Sequence, residues 1–246
     1  MEPSEQPTCP NRSSISSIVT RIIANRLADY LNGYDRVKAE FLIQGFSEGF
    51  IIPFQGHRLF RFSKNLSSLN HNEHIFLPKL QQEISSGRVM GPFKDPPFEN
   101  LQVSPLGLVP KKTPGEYRLI HHLSYPEGAS INDGIPPEFC TVQYQSIQDA
   151  ILANQQVGVG ALLAKTDSEN AYKQVPIHPQ SFELLGFQVN NEFYFDKTLP
   201  FGLSYSCNLF EKFSSALQWI LENKFNVKYC VHLRDDFLFV GHPGRP

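Results

Sequence analysis

Two adjacent aspartates set between apolar runs constrain this chain more than any other feature. Asp235 and Asp236 separate Val227–Leu233 from Phe237–Val240, two stretches with the composition of β-strands. A third carboxylate, Asp167, closes a run that begins at Val157 and is small and apolar to Leu163, the pattern of a buried strand. An unpaired carboxylate in an apolar interior is expensive, whereas carboxylates at strand ends beside a cleft can hold divalent cations. Mg²⁺ takes one or two carboxylates plus substrate phosphates and keeps some of its waters. Two such ions about 4 Å apart clamp the attacking and leaving oxygens of an in-line phosphoryl displacement. That chemistry asks little more of a protein than positioning and charge stabilisation. Each feature alone has an ordinary reading: Asp-Asp as the turn of a surface hairpin, Asp167 as a helix N-cap. The order is rarer by chance: an Asp, then Leu-Pro-Phe-Gly at 199–202, then Leu-Arg-Asp-Asp at 233–236.

Around these residues the pattern alternates without strict strand–helix–strand repetition, which predicts an α+β fold. Ile18, Val19, Ile22, Ile23, Leu27, Tyr30 and Leu31 fall at helical spacing, with Ser16 or Ser17 as the N-cap. Further helices are expected over Arg36–Phe46, Leu77–Ser86 and from Ser146 to about Gln156. Leu209, Phe210, Phe213, Leu217, Ile220 and Leu221 give the clearest amphipathic helix. Residues 47–72 read as irregular, and 91–100, with three prolines, as extended or looped. Hairpins are expected at Leu106–Val109/Tyr117–Ile120, joined through Pro114-Gly115, and around Asn190-Asn191. His71, His74, His121 and His122 lack a paired ligand cluster and read as ordinary structural residues.

With 246 residues the chain can bury one large core or two small ones. A formal charge of −2 argues against a dedicated nucleic-acid binder, because phosphate neutralisation supplies most non-specific affinity. A basic groove and an acidic metal site in one domain would, however, cancel in that sum. The four cysteines, Cys9, Cys140, Cys207 and Cys230, are too scattered for a zinc site or a disulfide framework, and read as reduced thiols. Residues 1–14 are polar and Pro/Ser-rich, which predicts disorder, and they lack the apolar core of a signal peptide. No run approaches the roughly 18 apolar residues of a membrane span. An intracellular protein, of cytoplasm or nucleus, is expected.

The ordered motifs resemble the catalytic core of reverse transcriptases. KTDSENAY (165–172) is similar to the first palm motif, LPFGLSYSCNLF (199–210) to the second, and HLRDDFLFVG (232–241) to the two-aspartate hairpin. SPLGLVPKKTPGEYR (104–118) is similar to the fingers hairpin. Wider segments, among them RLIHHLSYPEGASIND, FYFDKTLPFG and FSSALQWILENKF, resemble DIRS-type retroelement polymerases, over roughly residues 20–241. The resemblance implies a right-hand polymerase fold: a helical extension over 15–75, fingers over 76–156, a palm over 157–241 with an antiparallel sheet backed by helices, and a tail at 242–246. It implies RNA-directed DNA synthesis with two Mg²⁺ (or Mn²⁺) ions on Asp167, Asp235 and Asp236. Lys111 or Lys112, with Arg118, would contact the nucleotide triphosphate. Tyr172 would exclude a ribose 2′-OH, while Phe201 stands where many members have Gln. Gly202 would let the backbone approach the nucleotide. The implied partners are an RNA or DNA template–primer and deoxynucleotide triphosphates.

Two departures bear on activity. Arg234 precedes the aspartate pair where the family generally has a small or apolar residue. It would either pair with a catalytic carboxylate and impair metal or primer binding, or point away and contact phosphate. The chain also ends ten residues after Asp236, without the remaining palm, a thumb or an RNase H domain, so weak duplex grip is expected. The alternative reading is a non-catalytic remnant that at most binds nucleic acid or protein.

Overall fold

A computed structural model describes residues 17–168 and 170–242. The expected disorder of 1–14, the cap at Ser16 and most of the tail at 242–246 lie outside these residues. The order of elements is α1 (Ala24–Tyr30), α2 (Arg36–Glu48), β1 (Arg61–Phe62), α3 (Glu73–Ser85), β2 (Val89–Phe93), β3 (Gln102–Val103), β4 (Leu106–Pro110) and β5 (Tyr117–His121). There follow α4 (Ile147–Val157), β6 (Leu162–Asp167), β7 (Gly186–Val189), β8 (Glu192–Asp196), α5 (Tyr205–Lys224), β9 (Cys230–Leu233) and β10 (Asp236–Gly241). The expected α+β class is what forms. Among the described residues no helix is long and apolar enough to cross a membrane.

Three sheets organise the chain. A five-stranded sheet has the order β1-β3-β7-β8-β2, a three-stranded antiparallel sheet the order β6-β10-β9, and β4 and β5 form a separate hairpin. The β7–β8 turn is the expected one: Asn190 and Asn191 both take positive φ, 51° and 63°, which suits the two-residue turn matching strand twist. Pro92 lies inside β2, within the segment read as looped, where the register with β8 shifts between Met90 and Phe93. A bulge is where a strand tolerates a residue without an N–H.

Local chemistry sets the helices. Asp35 caps α2 by accepting from the Lys38 N–H at 2.9 Å. Ser146 and Asp149 close α4 reciprocally, with the Ser146 N–H and hydroxyl both donating to Asp149 Oδ2. On α5, Tyr205, Leu209, Phe213, Ala216 and Ile220 recur every three or four residues and are buried in the main core with Leu42, Phe46, Phe182 and Leu199. A second core, under α3, packs Phe76 and Leu80 against Val89, Leu106, Leu108 and Phe187.

Three expectations differ from the fold. The first helix begins at Ala24, not near Ser17, because Thr20 Oγ1 accepts from the Ile22 N–H and donates to the Gln174 carbonyl, holding that segment out of helix. α3 begins at Glu73 and contains Pro78, so the proline is carried inside the helix rather than at its start. Val157 ends α4 rather than opening a strand, and β6 (Leu162–Asp167) is exposed throughout, as the edge of its sheet, not buried.

A buried charge network locks β5, β8 and the turn Ala171–Gln174 together. Asp196, at the end of β8, bonds His121 Nδ1 at 3.0 Å and Lys173 Nζ at 3.0 Å, and His121 Nε2 lies 3.1 Å from the Gly186 carbonyl. Burial pushes the Asp196 carboxyl upward, but Lys173 and His121 outweigh it and hold its pKa below the usual range. A carboxylate so depressed stabilises the fold above its unfolded pKa of about 3.9, and that contribution is lost as pH falls through the folded value. Asp196→Asn should therefore cost about 3 kcal/mol at pH 7, by leaving Lys173 only the longer contact to Glu83, at 3.8 Å. Urea midpoints of parent and variant should converge as pH is lowered below about 4; a gap that is constant with pH would show that the carboxylate charge is not what stabilises.

Candidate functional site

The three-stranded sheet brings the sequence-distant aspartates together. Asp167, the last residue of β6, is the register partner of Asp236, the first of β10, and the Ser168 N–H donates to the Asp235 carbonyl at 3.1 Å. Leu233 pairs with Asp236, so Arg234 and Asp235 form the two-residue turn of the β9–β10 hairpin. Arg234 takes φ +60°, and its carbonyl accepts from Ser214 Oγ of α5 at 2.8 Å. The hairpin is held from beneath: His232 bridges Glu211 and Gln218 of α5, its N–H donates to Gln145, and Gln218 donates to the Cys230 carbonyl.

Asp167 and Asp235 both line one open cleft of about 620 Å³. Of the other expected residues, Lys111, Arg118, Tyr172 and Phe201 line it as well. Asp236, Lys112 and Gly202 are not in its wall. Asp236 is engaged by Lys165, two register positions away across the strands and so on the same face, with Nζ–Oδ1 3.0 Å. Lys111 is partnered by Glu116 at 3.1 Å. Gly202 takes φ +116°, and a Cβ there would stand 2.0 Å from the His121 carbonyl oxygen. The close approach that this glycine permits is thus to β5. Asn132 completes the clamp, donating to the Gly202 carbonyl and accepting from the Ser204 N–H.

The floor of the cleft is aromatic. The Arg118 guanidinium lies 5.0 Å over the Phe201 ring, Phe201 meets Tyr172 at 5.2 Å, and Tyr172 meets Phe210 at 5.4 Å between centroids. The Tyr172 hydroxyl lies 3.2 Å from Cys207 Sγ. Burial first, then the Cys207 thiol, raises the Tyr172 pKa, so its phenol stays neutral. Arg234 Cζ lies 5.4 Å over the Tyr144 ring. Burial first, then the Cys207 thiol, raises the Tyr144 pKa, and the nearby Tyr144 hydroxyl raises that of Arg234. Among the described residues Arg234 forms no ion pair with a carboxylate, so of its two sequence readings the pairing with a catalytic aspartate is not the one that forms.

Several wall residues escaped sequence reasoning. Lys79, Gln82 and Glu83 line the cleft from one face of α3, at helical spacing three and four. That spacing is visible in the sequence, but the face it presents is set by packing. Lys173 lies at the back, held by Asp196. Among the described wall residues Lys79, Lys111, Arg118, Lys173 and Arg234 outnumber Glu83, Asp167 and Asp235, in a chain whose formal charge is −2.

Two observations bear on a divalent cation. Asp167 and Asp236 face each other across adjacent strands, and like charges so placed repel; Lys165 offsets Asp236, while Asp167 and Asp235 have no ion pair among the described residues. Among those residues, too, no three acidic, His or Cys side chains converge as a closed cage.

No protein-family model matches the chain, nor does the sequence of any curated protein. Solved structures do match. The protease–reverse transcriptase of prototype foamy virus superposes with a TM-score of 0.55 at 18% identity, over 78% of this chain and 22% of that one. A foamy viral protease–reverse transcriptase in complex with double-stranded DNA gives 0.54 at 13% identity, over 97% and 40%. One in complex with an RNA/DNA hybrid gives 0.53 at 14% identity, over 99% and 31%. The chain thus has a reverse-transcriptase-like fold and spans less than half the length of these chains.

Gly202→Ala tests the clamp beneath the cleft. The added methyl must displace the His121 backbone and adopt a φ that L-residues avoid, so a loss of about 2–4 kcal/mol is expected. Thermal unfolding measures it, and a midpoint within a degree of the parent would show that the turn does not rest on β5.

Proposed function

We propose that this chain is a reverse-transcriptase-like polymerase domain that transfers nucleotidyl groups to the 3′ end of a primer, directed by an RNA or DNA template. The observation that carries the reading is that Asp167, at the end of β6, and Asp235, in the β9–β10 turn, line the same cationic, aromatic-floored cleft. In this reading residues 76–156 are the fingers and 157–241 the palm, and the wider sequence resemblance favours a DIRS-type retroelement origin.

The cofactor would be a pair of Mg²⁺ ions, or Mn²⁺, held chiefly by Asp167 and Asp235, with Asp236 beside them. Bound there, the ions would supply charge stabilisation to the attacking and leaving oxygens. The protein's own residues would place the substrates. Arg118, kept in place by Phe201, and Lys111 would take the negative charge of a deoxynucleotide triphosphate, with Lys112 exposed nearby on the same hairpin. Tyr172 would present a neutral, immobile ring beside the nucleotide sugar; its contacts with Phe201, Phe210 and Cys207 leave it little room to yield to a 2′-hydroxyl. Gly202 would act from behind the wall, by fixing Phe201 against β5.

Primer extension on poly(rA) primed with oligo(dT), with dTTP and Mg²⁺, tests the proposal. Asp167→Asn and Asp235→Asn should each lower extension on the order of 10³-fold, the equivalent of several kcal/mol of lost charge stabilisation. Asp236→Asn should lower it less, because Lys165 already engages that carboxylate. Unchanged extension in Asp167→Asn would refute the metal assignment. Absence of duplex binding and of extension in the parent would refute the polymerase reading.

A further inference from the structure

We propose that Arg234 is a phosphate-binding residue of the cleft, receiving a phosphate-ester oxygen of either the incoming nucleotide or the primer strand. The inference rests on the nucleotidyl-transfer reading of the same cleft. Three independent observations carry it.

The first is placement. The Arg234 side chain lines the cleft next to Asp235, seated 5.4 Å over the Tyr144 ring. A guanidinium has five N–H donors, and a ring against one face leaves the in-plane fork available to an anion. Tyr144 continues through Cys207 to Tyr172, Phe201 and Arg118. The floor therefore ends in an aromatic-seated arginine at either side. The second is charge. Lys111 and Lys173 in the same wall are neutralised by Glu116 and Asp196, whereas neither Arg118 nor Arg234 has a carboxylate partner among the described residues. A neighbouring aspartate would be the nearest available counter-ion for an arginine with only a structural role, and Arg234 does not take it. The third is backbone cost. Arg234 takes φ +60° at the first turn position of a two-residue hairpin, where Gly, Asn or Asp is far easier to accommodate. A residue held in a sparsely populated conformation at a cleft marks function more often than stability.

The chemistry fits the site. An arginine fork matches a phosphate bidentately, and stacking on a ring keeps it oriented before the ligand arrives. A phosphate drawn to cations on Asp167 and Asp235 would lie beside the Arg234 fork, because all three residues line one cleft.

The test uses the full chain with two probes: an oligo(dT)·poly(rA) duplex, followed by fluorescence anisotropy from 50 to 200 mM salt, and dTTP with Mg²⁺, followed by calorimetry. Arg234→Asn removes the fork while easing the turn, so its unfolding midpoint should equal or exceed the parent's. Its affinity for one probe should fall about tenfold. If the ligand is the primer strand, duplex affinity falls and the salt slope shrinks by about one. If it is the nucleotide, dTTP affinity falls and duplex binding is unchanged. Tyr144→Leu, which frees the guanidinium from its seat, should shift the same probe in the same direction, and Arg234→Lys should restore only part of the loss. The proposal is overturned if Arg234→Asn binds both probes as well as the parent, or if its midpoint falls and thereby accounts for the weaker binding. In either case extension by the parent, with its loss in Asp167→Asn, would leave the polymerase reading standing. A parent that binds neither probe would refute both.

Discussion

Asp167 stands directly opposite Asp236 across the β6–β10 pairing, and most of the site depends on that one unfavourable juxtaposition. Two carboxylates in cross-strand register repel, so the sheet forms in spite of them. Six consecutive register pairs join β6 to β10, and Phe237 buries itself on the opposite face from the carboxylates. Lys165 relieves one side of the repulsion by bonding Asp236. The other side, Asp167 with Asp235 at the hairpin tip, is left open to the cleft.

The hairpin that carries Asp235 is correspondingly over-determined. Its turn hangs from Ser214, its first strand from Gln218 and Gln145, and His232 is wedged between Glu211 and Gln218 while stacking on Phe237 at 5.4 Å. These partners come from α5 and from the segment leading into α4. The long amphipathic helix therefore does two things: one stripe of side chains fills the main core, and a polar stripe beside it fixes the hairpin's height and twist. On the far side of the cleft, Asp196 does the equivalent for β5 by tying His121 and Lys173 to β8. Rigidity is thus placed behind the carboxylates and behind the cationic wall, where a charged ligand needs groups that do not move.

What could be read from the sequence follows which forces are local. The β7–β8 turn was legible at Asn190-Asn191 and the α4 cap at Ser146, because each is settled within four residues. The two-aspartate hairpin was legible because its apolar flanks alternate around a turn. Other features were hidden for reasons of distance. Thr20 unwinds its segment by bonding Gln174, 154 positions away. Edge exposure of β6 depends on which strand it pairs with, and apolar composition alone reads as burial. Among site residues, Asp167, Tyr172 and Phe201 stood in short motifs. Lys79 and Glu83 reach the cleft only because α3 lies over Val89 and Leu106. At Gly202 the same holds: positive φ at a glycine shows that something approaches, and only the fold shows that the His121 carbonyl does.

Net charge proved a poor guide because the chain separates its charges in space. A formal charge of −2 would make a nucleic-acid ligand implausible if the charges were spread evenly. Instead the described residues of the cleft wall gather five cations against three anions, and two of the cations sit on aromatic rings rather than on carboxylates. Within a Debye length, about 8 Å at physiological salt, a ligand responds to that local excess and not to the sum. Divalent cations on Asp167 and Asp235 would raise the excess further, converting an acidic part of the cleft into a positive one. The same carboxylates that lower the net charge of the free chain would then become the reason a polyanion binds, so metal and phosphate should enter this cleft cooperatively rather than independently.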